Sequence, residues 1–129
     1  MRFVLPGRLK CAAGTADRLY FCPPDGLLTS GEKWRVTGIK LIPNAALTTN
    51  ATDYVTLQAY KGASTALATA RVTSSVGLTQ GSAESLALSA GPADREIDSS
   101  SPLSVRVAHS GSGKDTDVSV MVEFEAVRY

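Results

Sequence analysis

The stretch Asp117-Val118-Ser119-Val120-Met121-Val122-Glu123-Phe124-Glu125-Ala126-Val127-Arg128-Tyr129 closes the chain, and its reading decides the fold. Val118, Val120, Val122, Phe124 and Ala126 fall on one parity, and Ser119, Glu123, Glu125 and Val127 on the other. Successive side chains of a strand point to opposite faces, so the pattern predicts a long strand with one dry and one wet face. No other stretch carries the apolar spacing of an amphipathic helix. The class expected is therefore all-β.

Shorter strands are predicted upstream by the same alternation. Leu103, Val105 and Val107 alternate with Ser104, Arg106 and Ala108, and Ser110-Gly111-Ser112-Gly113 then marks a turn into the closing strand. Asp53 to Lys61 places Val55, Leu57 and Ala59 on one face, with Tyr54, Thr56, Gln58 and Tyr60 on the other. In Lys33 to Ile42, Trp34 and Val36 share one parity, Ile39 and Leu41 the other, and Gly38 sits at the phase change, where a bulge or bend is expected. Asp17 to Cys22 is a strand stopped by Pro23-Pro24-Asp25-Gly26. Leu67 to Thr73 and Ser85 to Ser89 read as weaker strands. About eight strands with long connections at Asn44 to Thr52 and Gly91 to Pro102 predict a single-domain β-sandwich over 17–129, jelly-roll-like rather than a simple meander.

Met1 to Ala16 carries Arg2, Arg8 and Lys10 with no acid, the apolar Phe3, Val4 and Leu5, and the breakers Pro6-Gly7. This reads as an extended N-terminal arm, 1–16, that fastens to another surface. Phe3-Val4-Leu5 is too short for the apolar region of a signal peptide, and no run approaches a membrane span, so use without secretion is expected. A net charge of +1 predicts no strong affinity for nucleic acid or membrane.

The reactive side chains are few. Cys11 and Cys22 could pair by number, but reduced thiols are expected, with Cys22 packed as a small hydrophobe. With His109 the sole histidine, the usual zinc sets cannot be built. No nucleophile elbow surrounds any serine. Gly111-Ser112-Gly113-Lys114-Asp115-Thr116 fails as a phosphate loop, because Ala108 and Asp115 stand where Gly and Ser/Thr are needed and no helix follows. Asp115 and Asp117 read as solvated turn residues, and Glu123 and Glu125 as the polar face of a strand. Trp34 is expected as an anchor in the core or at a subunit contact. No catalytic, metal or cofactor-binding residue is expected.

The run from Trp34 through Pro43-Asn44-Ala45-Ala46-Leu47-Thr48 to Asp53-Tyr54-Val55-Thr56-Leu57, with Leu103 to Val107, Gly111-Ser112-Gly113 and Val118 to Phe124, resembles the jelly-roll head decoration, or cement, proteins of tailed phages. Ser101-Pro102 stands where that family often has Gly-Asp. The resemblance implies a homotrimer on the outer capsid surface, made in the host cytoplasm. Its partners would be the major capsid protein and itself, with no nucleic acid and no membrane. On this reading the contact residues are Arg2, Phe3, Val4, Leu5, Arg8, Lys10 and Trp34. The alternatives are a receptor- or carbohydrate-binding jelly roll of a fibre, and a small β-sandwich enzyme.

Overall fold

The computed structural model describes residues 1–128; Tyr129 lies outside them. Ten strands follow one another: β1 (Arg2–Cys11), β2 (Asp17–Phe21), β3 (Glu32–Pro43), β4 (Tyr54–Lys61), β5 (Thr65–Ala66), β6 (Arg71–Val72), β7 (Glu84–Ser85), β8 (Glu96–Ile97), β9 (Leu103–Ser110) and β10 (Thr116–Arg128). Two single turns of 3₁₀ helix, Asp25–Leu27 and Pro92–Arg95, are the only helical pieces among the described residues. Sheet I has the order β1-β10-β3-β7, with β8 also on β3; sheet II has β2-β9-β4-β5, with β6 also on β4. Every strand pair is antiparallel, and the two sheets pack face to face as a β-sandwich.

The long alternating segments give the long strands. On β10, Val118, Val120, Val122 and Phe124 are all fully buried, while Met121 on the other parity is 41% exposed. The phase change on β3 is a bulge. Gly38 pairs with Glu123 and Val36 with Phe124, leaving Thr37 as the extra residue. The insertion switches parity, so Trp34, Val36, Ile39 and Leu41 all reach the core. The Thr37 hydroxyl donates to the Glu123 carboxylate at 2.9 Å across the bulge.

The N-terminal segment corrects the expectation of an arm. Arg2 to Cys11 is a ten-residue strand paired with β10 along its whole length, from Arg2 opposite Glu125 to Cys11 opposite Thr116. Its own alternation explains this. Phe3, Leu5, Gly7, Leu9 and Cys11 face inward, while Arg2, Val4, Pro6, Arg8 and Lys10 are exposed. Pro6 does not break the strand, because β1 is an edge. The Ala126 N–H donates to the Met1 carbonyl at 3.0 Å, which sets the bonding phase so that odd residues of β1 face β10. The Pro6 nitrogen then turns to the free edge, where a missing N–H costs no ladder bond. Gly7 is needed for packing: a Cβ there would stand 2.8 Å from Leu19 Cδ1 and from Phe21 Cζ of β2.

The weak strands predicted at Leu67–Thr73 and Ser85–Ser89 are reduced to two-residue strands at the far edges of the sheets. There a side chain ties the sheets together. Arg71 of β6 donates Nε to Glu84 of β7 at 2.8 Å, Nη1 to the Val76 carbonyl and Nη2 to the Gly77 carbonyl, both at 2.7 Å. The neighbouring loops meet in an isolated bridge, Leu47 N–H to Leu78 O at 2.9 Å and Leu78 N–H to Leu47 O at 2.8 Å. Gly77 makes that approach feasible, since a Cβ on it would collide with the Leu47 carbonyl. Gly77→Ala is expected to lower the unfolding free energy by about 1–3 kcal/mol, the range for overpacking. Chemical denaturation reads this as a lower midpoint at unchanged slope.

Candidate functional site

The residues expected to make contacts divide between the two faces of sheet I. Arg2, Val4, Arg8 and Lys10 lie on the exposed parity of β1. Phe3 and Leu5 lie on the other and pack against the core. Trp34 is a correction: it is fully buried within its own chain and offers no surface to a partner. Its ring meets Phe3 edge-on, centroids 6.0 Å apart at 68°, and its indole N–H donates to the Pro24 carbonyl at 3.3 Å. The cause is the β3 bulge, which keeps Trp34 in phase with the interior.

The outer face of sheet I is built by register. Val4 stands opposite Glu123, which stands opposite Gly38; Pro6 stands opposite Met121, which stands opposite Lys40. With no side chain at Gly38, a shallow groove of about 310 Å³ opens between Val4, Thr37, Lys40, Ser85 and Met121. Val4 is 49% exposed beside it, so this face presents apolar surface within a charged frame.

The frame is strongest at one end. Arg8 grips Asp117 with two parallel bonds, Nε to Oδ1 at 2.8 Å and Nη2 to Oδ2 at 2.5 Å, and Asn44 donates to Oδ1 at 2.9 Å. The bonds from Arg8, then Asn44, hold the Asp117 carboxyl well below the usual carboxylate range. Asp117 is therefore no free turn residue, and neither is Asp115, whose carboxylate accepts the Ala13 N–H at 2.8 Å. A depressed folded pKa stabilises the fold above the unfolded value, about pH 4, and that contribution fades as the pH falls toward the folded value. The effect is small because solvent screens the pair. Asp117→Asn should melt slightly lower than wild type at neutral pH, with the gap closing below about pH 4. A gap that stays constant down that range contradicts the assignment.

The structure also brings together a pair that sequence spacing conceals. Cys11 Sγ lies 3.6 Å from His109 Nε2, although the residues are far apart in the chain. Nε2 is also 2.9 Å from the Thr15 carbonyl, an acceptor, and the Lys114 N–H points at Nδ1 at 3.4 Å. These partners assign the proton to Nε2, leaving no lone pair there for the thiol. Burial, with Asp17 next, pushes the Cys11 thiol up from its ordinary value. Both effects disfavour the thiolate, and the contact joins the end of β1 to the end of β9. Cys22 corrects another expectation. It lies exposed beyond β2 rather than packed in a strand, and both cysteines are free.

No group of three or more His, Cys, Asp or Glu side chains gathers in a metal-binding arrangement among the described residues. No protein-family model matches the chain, and no curated protein matches its sequence.

Proposed function

We propose that this sandwich is a jelly roll and that the protein decorates the outside of a tailed-phage head as a homotrimer, tying neighbouring capsid subunits together. The observation that carries the reading is the strand order. The chain lays β1, β2, β3 and β4 alternately in sheets I and II, adds short strands at the far edges, then returns through β9 in sheet II and β10 in sheet I. This double crossing is what a jelly roll requires, and it places the first and last long strands side by side. The sequence resemblance to cement proteins points the same way. Val4 and Met121, exposed apolar residues on the outer face of sheet I, supply area for contact between copies. Several weak docking contacts made at once by a trimer then sum to firm attachment.

Light scattering after size exclusion tests the assembly. The expected wild-type mass is that of a trimer, and Met121→Glu, which lies on the outer face and leaves the core untouched, is expected to give a folded monomer. A wild-type monomer, or a Met121→Glu trimer, removes this face from the assembly.

A further inference from the structure

We propose that the outer face of sheet II is a docking surface for an acidic segment of a protein partner, read by Arg18 and Arg106 between Tyr20 and Tyr60. Register puts these four side chains in adjacent rows. Arg18 stands opposite Arg106, which stands opposite Gln58; Tyr20 stands opposite Ser104, which stands opposite Tyr60. Their parity is outward, since Phe21, Val105, Val107, Leu57 and Ala59 on the alternate positions are buried. Tyr20 is 59% exposed.

Two guanidinium groups directly opposite each other on one sheet face repel, and a carboxylate beside them would relieve this. The chain places none there. Every outward position of β2, β9 and β4 is Arg, Tyr, Ser, Thr, Ala or Gln. The Arg106 side chain has no hydrogen-bond or ion-pair partner among the described residues. Arg18 is held in place instead. Its guanidinium sits 5.2 Å from the Tyr60 ring centroid and 6.0 Å from that of Tyr20, and its Nη1 donates to the Ala63 carbonyl at 2.6 Å. Stacking leaves its remaining N–H donors free and reduces the entropy lost when they bind. An ordered arginine, a second one unsatisfied beside it and flanking tyrosines match the side chains that dominate binding energy at protein interfaces.

Charge selects the occupant. Two planar forks suit carboxylates, which they can grip with paired bonds. A nucleic acid backbone requires a longer basic track than two arginines on a chain of net charge +1. A second copy is a poor source of the acid, because its carboxylates are largely engaged at home. Asp117 is held by Arg8, Glu84 by Arg71, Glu96 by Lys33 and Arg35, and Glu32 by Thr29. The side-chain carboxylates that no bond holds among the described residues, Asp25, Asp94 and Glu125, lie on separate elements, so an acidic run on a different protein is the better complement. This surface does not depend on that protein being a capsid subunit.

Titration of the isotope-labelled protein with an oligoglutamate peptide at low salt tests the proposal, with a single-stranded oligonucleotide in parallel. Amide shifts are expected at Arg18, Tyr20, Tyr60 and Arg106, weakening as salt is raised. Arg106→Gln and Arg18→Gln should each weaken peptide binding by about 10-fold while leaving the rest of the amide spectrum in place. Shifts that are absent, that centre on Arg2 and Lys10 of sheet I, or that survive both substitutions overturn it. So does tighter binding of the oligonucleotide to the same residues.

Discussion

Val120→Asp is expected to leave no folded protein at room temperature. Val120 lies mid-way along β10, paired with Gly7 of β1 on one side and Leu41 of β3 on the other, and it is fully buried. No cation faces it across the sandwich interior, where its neighbours are apolar. An isolated carboxylate there costs several kcal/mol even after it protonates, because the neutral acid still lacks partners. The lost methyl packing adds to this. Domains of this size are held by only about 5–15 kcal/mol in total. The neighbouring Met121→Asp provides the control. The same charge one residue along falls on the open face and is expected to leave a normal β-rich circular dichroism spectrum and a cooperative melt. If both variants fold alike, the alternation of β10 does not define inside and outside.

Trp34→Ala is expected to cost about 3–5 kcal/mol, the upper range for truncating a buried aromatic. Trp34 is the largest fully buried side chain and lies against Phe3 of β1. Its removal therefore opens a cavity where the N-terminal strand joins the core. The unpaired Pro24 carbonyl left behind adds to the loss. Trp34→Phe keeps most of the volume and should retain much of the stability. As the only tryptophan, Trp34 reports on itself. Native emission is expected to be blue-shifted, moving to the red in a single transition that coincides with loss of the strand signal. Emission typical of exposed indole in the native protein contradicts the burial.

Much of the architecture is legible in the sequence because the long strands obey one rule. Each of β3, β4, β9 and β10 buries its apolar residues on alternate positions, the phase change at Gly38 marks the bulge, and Ser104 on β9 is buried against that alternation. The N-terminal strand obeys the same rule, yet it reads as an arm because Pro6-Gly7 looks like a breaker. Only the partner strand shows otherwise: β10 leaves the Pro6 nitrogen on the free edge, and β2 fills the space above Gly7. The segment from Gly62 to Ser101 is hard to read for another reason. Its strands are two residues long, too short for alternation to register, and its order comes from side chains such as Arg71. Surface sites are partly legible. Parity marks Arg18, Tyr20, Tyr60 and Arg106 as outward, but their meeting across β2, β9 and β4 depends on a register set by the whole sheet. The approach of Cys11 to His109 likewise needs the two ends of the sandwich assembled.

Imaging of purified phage particles, assembled with and without this protein, tests its proposed role most directly. The account predicts three-lobed density on the outer surface of the expanded head at threefold positions, absent from particles assembled without the protein. Each lobe should fit one sandwich, with β1 lying in the sheet rather than reaching away from it. Heads that look identical in the two preparations, or density confined to the tail, contradict the role in head decoration.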